Sequence, residues 1–587
     1  MRSATTGSTI VVAVAAVASA ICFVLAFAPT RLWPLAPISA ALLVWAALRP
    51  ERSGAAMVWI AAAWACAWFW MHRWIGDVSM VGLPALVAYL TLWTVLLAWT
   101  IRRVHRAFAP GSSVGGTVVT MPLALTVAVI WCGFEMLRGT VFMHGYPWYL
   151  LAHPLIEAPA LVQIADIGGA WLVTAFVAAI GGTVADLALR GRAALRGLVC
   201  MAFIATIVIG YGAWRIGERD QLRPGPTILA IQTDLPTDNK TRWTFDQQVV
   251  DFESFLRLTL DAFDAHRAAG GTVDLIAWPE TMLPGMGLDP ETEATLLAGP
   301  FVPGDHFTAA IRMVSRVLDV PMLLGSAAYV GLRDEDDRWT WDRHHNSAYL
   351  LMPDGEIDRY DKLVLTPFGE TMPYISAWPW LERQLLALGA RGMRFDLDRG
   401  VAPVRLTAPT SKGPIRLVTP ICFEDTVASL VRTLVWERRG VWERGAREAD
   451  VIVNLSNDGW FGSTHAGRWQ HAQAARFRCI ENRTPMVRVV NTGVTASYDS
   501  LGRLVSLVNA ETDHPGLGAG WLAATIVFDG RRPWAAAVGD AVGWVGLLLT
   551  ALLLGLTMRR CGGAPDANRD ATTAELRAAA PRKGPRK

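Results

Sequence analysis

Seven cysteines in 587 residues are too few for an architecture stapled by disulfides. Cys22, Cys66, Cys132 and Cys200 fall in apolar stretches and Cys561 in the C-terminal tail, which leaves Cys422 and Cys479 in the more polar part of the chain. Counting leaves a bridge between these two open; because it would disarm Cys422, both are expected to be free thiols. Gly-rich phosphate loops and dinucleotide fingerprints are also missing after every strand-like run, so no nucleotide is implied. His344, His345, His465 and His471 lack flanking ligands at metal spacing; they read as loop or packing residues, with His471 at most a wall of a site, and neither metal nor cofactor is expected. The net charge is only +3, with basic residues scattered over loops, which argues against a nucleic-acid partner. No internal repeat of fixed period is evident.

Apolar sequence, by contrast, is abundant. At 52% hydrophobic residues and a mean hydropathy of +0.30, the chain is too apolar for a wholly soluble protein of this length. Stretches of spanning length lie near 9–28, 33–48 (short for a span), 55–75, 81–101, 117–137, 161–188, 197–214 and 536–558. Ala26-Phe27-Ala28 resembles a signal-peptide cleavage site, but Pro29 would follow the cut and further spans succeed it, so the first stretch is expected to remain as an anchor. With eight spans, Arg2, Arg49 and Arg52, Arg102, Arg103 and Arg106, Arg190, Arg192 and Arg196, and Arg559 and Arg560 all fall on one side. By the positive-inside rule that side is the cytoplasm. The expected division is seven spans in 1–217, an extracytoplasmic domain over 218–530, an eighth span in 531–560, and a basic, disordered cytoplasmic tail over 561–587.

Within 218–530 the pattern changes to short β-branched runs alternating with helical stretches. Strands are expected near 227–232, 273–278, 322–325, 347–352, 415–420, 451–455, 486–490 and 495–498, and helices over 245–267, 307–318, 426–439 and 467–483. Such alternation indicates an α/β domain with a sheet covered on at least one face. Two irregular stretches, 282–306 and 375–395, fit the scheme poorly and are expected to be functional or mobile. Trp378 and Trp380 in the second pack in a core or rest at the level of lipid headgroups.

The chemistry gathers around Cys422, which follows the apolar run 415–421 and precedes a helix-forming stretch. Alone, such a cysteine reads as a small core residue. On a strand-to-helix turn beside a cation, its thiolate is favoured. Glu280 closes the run 275–280, where a carboxylate can accept the thiol proton and later return it. Lys362, in Tyr360-Asp361-Lys362, supplies an ammonium for a thiolate and an oxyanion, and Glu370 is placed to orient it.

Glu280, Lys362 and Cys422 in this order resemble the Glu-Lys-Cys triad of the nitrilase superfamily. The stretch 454–462 with Asn454, Asn457 and Gly462, then Gln470-His471, Arg476, Glu481, Arg483, Pro485, Arg488, Asn491 and Gly493, is similar to the apolipoprotein N-acyltransferase family. So are Phe134-Glu135, Arg138, the Gly145-Tyr146-Pro147-Trp148 run, and Gln163 with Gly168 and Gly169. The resemblance implies an eight-helix membrane bundle plus a nitrilase-like α-β-β-α sandwich outside the membrane. It also implies a ping-pong acyltransferase: Cys422 as nucleophile, Glu280 as base and acid, Lys362 at the oxyanion, and Glu370, Glu424, Phe423 and Trp243 in support. Trp148, Trp378 and Trp380 are candidates for substrate or lid contacts. The donor would be a phospholipid and the acceptor a diacylated apolipoprotein, met by a monomer in the bacterial inner membrane with its catalytic domain in the periplasm. Phe423 stands where the family commonly has Tyr, and Gly459 where Ala is usual. A membrane-tethered amidase shares the triad, and a non-catalytic lipid-binding scaffold is a reading of another class. A transporter would draw on Glu135, Arg138, Asp166 and Asp186.

Overall fold

The computed structural model describes residues 2–49, 53–108, 120–235, 243–299, 306–336, 338–378, 380–384, 397–437, 445–462, 464–512 and 514–562. The tail beyond 562, parts of the stretches 282–306 and 375–395, and Lys240 lie outside this set.

Six stretches among the described residues are long and apolar enough to cross a membrane: Thr9–Ala26, Gly54–His72, Gly82–Ala107, Leu123–His144, Ala165–Gly217 and Ala541–Met558. The fifth holds two helices, Ala165–Arg190 and Leu195–Gly217, joined by a tight turn at Gly191–Ala194. Leu35–Leu48 is a further, shorter apolar helix of 14 residues. At about 1.5 Å per residue it extends only ~21 Å, less than the ~30 Å hydrocarbon core. The chain is thus a membrane protein, and a large domain is inserted before its last apolar helix.

That domain is built on two six-stranded sheets. The first contains β1 (Leu222–Gln232), β2 (Leu275–Ala277), β3 (Met322–Val330), β6 (Arg343–Leu351), β7 (Ile357–Asp361) and β14 (Gly520–Asp529), in the order β14-β1-β2-β3-β6-β7. The second contains β8 (Leu406–Ala408), β9 (Ile415–Val418), β10 (Val451–Ser456), β11 (Met486–Val490), β12 (Ala496–Tyr498) and β13 (Leu504–Leu507), in the order β13-β12-β11-β10-β9-β8. A small hairpin, β4 (Arg333–Glu335) with β5 (Arg338–Thr340), completes the set. Central strands β1, β2 and β3 run parallel, as do β9, β10 and β11, while the flanking strands are antiparallel. Parallel strands are covered on both faces, which explains their nearly unbroken apolar sequence.

Alternation along β1 shows the layering. Ile228 and Ala230 join the core shared with the second sheet, whereas Leu229 and Ile231 meet Phe252, Phe255, Phe307 and Ile311 of helices Phe245–Ala268 and His306–Leu318. On the far side, helix His465–Asn482 gives Ala472, Ala475 and Cys479 to the second sheet and Phe477 and Ile480 to the membrane bundle. Burying each of the latter two contributes roughly 1.5–3 kcal/mol. This helix ends in a left-handed Arg483 (φ 47°), which directs its guanidinium into the bundle.

Polar contacts fix the domain to the bundle. Arg483 Nη2 and Arg215 Nε donate to Asp166 Oδ2 at 2.5 and 2.8 Å, and Arg483 Nη1 donates to Gln163 at 2.7 Å. Glu481 accepts from the Ala170 N–H at 2.8 Å, and Arg432 donates to Asp540 at 2.9 Å. The ionisable residues that suggested transport have structural partners. Glu135 accepts from Trp131, Thr174 and the Leu151 N–H, Arg138 donates to the Tyr146 and Trp148 carbonyls, Asp166 holds the two arginines, and Asp186 pairs with Arg190.

Candidate functional site

Glu280 and Cys422 both lie just past the C-terminal ends of parallel strands, the edge at which α/β sheets present functional groups. Glu280 is not itself the last strand residue, as the sequence suggested: β2 stops at Ala277, and Trp278 and Pro279 carry the chain out of the sheet. Gly325 is needed beside it, since a Cβ there would lie 2.2 Å from the Pro279 carbonyl oxygen and 2.6 Å from Glu280 Cα. Lys362 is the first residue after β7.

Cys422 occupies the left-handed region, φ 52°, unusual for a residue with a side chain. Such a conformation costs about 1–3 kcal/mol and persists only where surrounding contacts enforce it. Ile421 bridges Leu455 on β10, and Asn454 Nδ2 donates to the Pro420 carbonyl at 2.9 Å. Glu424 supplies the stronger restraint. Its Oε2 accepts from the Ile421 N–H (2.7 Å) and Tyr360 Oη (2.9 Å), while its Oε1 accepts from the N–H groups of Leu363 (2.7 Å) and Val364 (2.8 Å). One buried carboxylate therefore clamps the cysteine turn to the chain immediately after Lys362. Burial pushes its pKa up to about 7 against the Ile421 N–H, the Lys362 charge, the Val364 N–H and the Tyr360 hydroxyl.

The expected long helix after Cys422 is replaced by a 3-10 turn, Cys422–Thr426, and a separate short helix, Ala428–Val435. Five residues of 3-10 turn provide little macrodipole, so the helix-terminus support for a thiolate anticipated from sequence is weak here.

Around the half-buried cysteine, the other two members of the triad are almost wholly inaccessible. Lys362 Nζ lies 2.8 Å from Glu370 Oε2 and 3.8 Å from Glu280 Oε1. Glu280 is moored by Asn346 Nδ2 at 2.7 Å and by the Asn457 N–H at 2.9 Å. Glu370 also accepts from the Thr366 N–H at 2.8 Å. Burial favours a neutral Lys362, but the charges of Glu370, Glu280 and Cys422 outweigh it and hold the ammonium pKa above its usual value. For Cys422, burial and then Glu280 push the thiol pKa up, more than Lys362 pulls it down. Burial and the neighbouring carboxylates thus favour the thiol form of Cys422, whereas its turn and the lysine favour the thiolate.

Aromatic rings wall this site. Trp148 stacks on Phe423 (centroids 6.5 Å apart, planes 2° apart) and also contacts Phe461 and His471. Trp148 is buried. Phe423 retains ring packing without a hydroxyl. Trp378 and Trp380 are 67% and 68% exposed, which removes the core-packing reading of these two. The nearby Tyr374 ring lies 5.4 Å from His144, at the rim of the bundle. Trp243 donates to Asp251 at 2.8 Å at the start of its helix, with no triad partner among its described hydrogen bonds. Cys422 and Cys479 are both free thiols.

Sequence reasoning passed over Asn346, a polar residue inside a strand whose role only its Glu280 contact reveals. It also assigned no role to Asn457, Asp425, Asp458 or Arg488. The last three surround His471: Nε2 is 2.9 Å from Asp425, Nδ1 is 2.8 Å from Asp458, and Arg488 reaches both carboxylates at 3.2 Å.

Comparison with known proteins covers both parts of the chain. A family model for the apolipoprotein N-acyltransferase N-terminal domain matches residues 19–183, and one for carbon-nitrogen hydrolase matches 243–535. An apolipoprotein N-acyltransferase from Geobacter metallireducens is 29% identical over 511 residues, 83% of this chain and 85% of that protein. One from Vibrio cholerae is 28% identical over 503 residues, 82% and 86% of the respective chains. Among solved structures, a CN-hydrolase superfamily protein from Xanthomonas campestris aligns with 55% of this chain and 97% of its own at 17% identity and TM-score 0.32. With both halves matched, and relatives of the same name spanning most of its length, the chain belongs to the apolipoprotein N-acyltransferase family, acyltransferases of the carbon-nitrogen hydrolase superfamily.

Proposed function

We propose that this protein N-acylates lipoproteins by a two-step transfer through a thioester on Cys422. The observation that carries the reading is the convergence of Cys422, Glu280 and Lys362 at one buried site, with a strained cysteine turn clamped to the lysine segment. In the first step Glu280 takes the thiol proton as sulfur attacks the ester carbonyl of a phospholipid acyl chain. Lys362 and backbone N–H groups at the turn stabilise the oxyanion. Glu280 then protonates the departing lysophospholipid oxygen, leaving the acyl group on sulfur. In the second step the α-amino group of a diacylglyceryl-cysteine attacks the thioester, Glu280 takes the amine proton, and it returns that proton to sulfur as the amide forms. Asn346 and the Asn457 N–H keep Glu280 in place for both transfers.

Lipid access supports an acyl ester as the electrophile. An apolar groove of about 780 Å³ lies between helices Ser53–His72 and Gly82–Ala107, lined in part by Ala61, Phe69, Leu83 and Val87. From the first helix, Trp68 and His72 contact Tyr149, which contacts Trp148, which stacks on Phe423. A run of buried rings thus connects that helix to the turn carrying Cys422, on side chains other than those that line the groove. The proposed layout has eight spans, counting Leu35–Leu48 and dividing Ala165–Gly217 into two, with 218–530 in the periplasm of an inner-membrane enzyme. Trp378 and Trp380 are proposed to rest at the headgroup level.

The test is incubation of purified protein with phospholipid and a diacylated lipopeptide, followed by mass spectrometry. N-acylated peptide with lysophospholipid is expected, together with an acyl adduct on wild-type protein that Cys422→Ala and Cys422→Ser both lack. An adduct in either variant, or free fatty acid without peptide acylation, would overturn the reading.

A further inference from the structure

The catalytic steps above leave one buried charged cluster unused. His471 projects from helix His465–Asn482 between two carboxylates. Asp425 comes from the 3-10 turn that begins at Cys422, and Asp458 from the loop after β10. The residue before Asp458 is Asn457, whose N–H holds Glu280 Oε2 at 2.9 Å. Arg488, on β11, donates to Asp425 Oδ2 and Asp458 Oδ2, both at 3.2 Å, and its Nη2 lies 2.8 Å from His471 Nδ1. Ser456 also donates to Asp458 Oδ1 at 3.1 Å. From the membrane bundle the Trp148 ring covers His471, and Phe461 lies on the same side. All four charged side chains are essentially inaccessible to solvent.

We propose that His471 is a positioning residue for acyl transfer: it ties the turn carrying Cys422 to the loop holding Glu280, and its positive charge balances a carboxylate pair that would otherwise oppose the forming thiolate. The connection runs Cys422 turn, Asp425, His471, Asp458, Asn457 N–H, Glu280. Nucleophile and base, which come from different sheets, are thereby held by one internal bracket as well as by the Glu424 clamp. Arg488 alone would leave two carboxylates facing one cation, whereas the imidazolium brings the cluster to neutrality. Asp458 is among the charges that raise the Cys422 pKa, so its neutralisation bears directly on sulfur. Burial opposes charge on His471 and Arg488 repels it, but Asp425 and Asp458 prevail and push its pKa up to about 9. The two carboxylates on either side of the ring thus favour its charged form, against Arg488, whose Nη2 lies 2.8 Å from Nδ1.

This inference rests on the acyl-transfer reading, and its test separates the two. Thiol ionisation is read from iodoacetamide alkylation of the Cys422 peptide across pH 6–10, and acylation from single-turnover adduct formation with phospholipid. In His471→Gln the alkylation midpoint is expected to rise by about one pH unit and acylation at pH 7 to fall about tenfold, with the lipid concentration for half-saturation unchanged. Asp425→Asn cuts the same bracket with nearly identical packing. It too should acylate about tenfold more slowly, and the double variant should be no slower than His471→Gln. An unchanged midpoint and rate in folded His471→Gln, or additive losses in the double variant, would overturn the proposal. Should His471→Gln not fold, a wild-type rate in Asp425→Asn overturns it; should neither fold, the cluster serves stability alone and the proposal also fails. Absence of an adduct on wild-type Cys422 would instead refute the underlying reading.

Discussion

Replacing Glu370 by Gln tests whether the charge count around Lys362 governs catalysis. The amide is nearly isosteric, and its oxygen can still accept from Lys362 Nζ or from the Thr366 N–H, so the local chain keeps its course. What disappears is the carboxylate 2.8 Å from a fully buried ammonium. Removing one partner of a buried ion pair costs about 3–5 kcal/mol, and the partial exposure of Glu370, 17%, places the expected loss near ~3 kcal/mol. That corresponds to a fall of roughly two pKa units at Lys362, which starts above its ordinary value and so remains protonated at neutral pH. The ammonium then turns to Glu280, now 3.8 Å away, and drawing it into direct contact pulls it about 1 Å from its Asn346 and Asn457 moorings. A displacement of about 1 Å at a reacting group can lower the rate roughly 100-fold. Meanwhile one negative charge has left the surroundings of Cys422, so its thiol ionises more readily. The expected signature is dissociated: faster iodoacetamide alkylation of the Cys422 peptide at pH 8, but single-turnover acylation reduced about 100-fold. Acylation within threefold of wild type, or alkylation no faster, would refute this account of the site.

Other perturbations address separate links in the argument. Lys362→Arg should lose most acylation activity, because a planar guanidinium does not fit the compact space between Glu370 and Glu280; near-normal turnover would count against the oxyanion role. Because Lys362 is held as a cation above its usual pKa, its deprotonation should produce no loss of acylation rate below about pH 10, which a pH–rate profile can check. Asp166→Asn leaves the buried Arg483 with neutral partners only, while Arg215 keeps Glu218, and should cost about 3–5 kcal/mol, read as a lower melting temperature in detergent; unchanged melting would show that these contacts do not dock the domain.

Much of the site was legible because its parts lie beside strong local signals. Glu280 and Cys422 each follow a short apolar strand, and Lys362 follows a Pro-Asp-Gly turn and a strand. Their mutual approach was not a local property. It arises from the face-to-face packing of two sheets whose strand ends converge, and Glu424 then fixes the registry of the turn against the lysine segment. Trp148 illustrates the limit well: the resemblance offered it as a candidate for substrate or lid contacts, and only tertiary packing reveals that it is buried against Phe423 and His471. His471 was undervalued for the same reason, since its two carboxylates are 13 and 46 residues away in sequence.

The sequence alone determined that this is a membrane protein with a large α/β insertion, and it named a cysteine, a carboxylate and a lysine that the fold brings close together. Hydropathy and strand pattern are properties of neighbouring residues, so they survive without coordinates. The balance between the two charge states of Cys422 is set only by tertiary structure: burial and the surrounding carboxylates push its thiol pKa up where its isolated turn favours a thiolate. Ionisation depends on every charge within several ångströms, and those charges come from strands, turns and helices that only folding brings together.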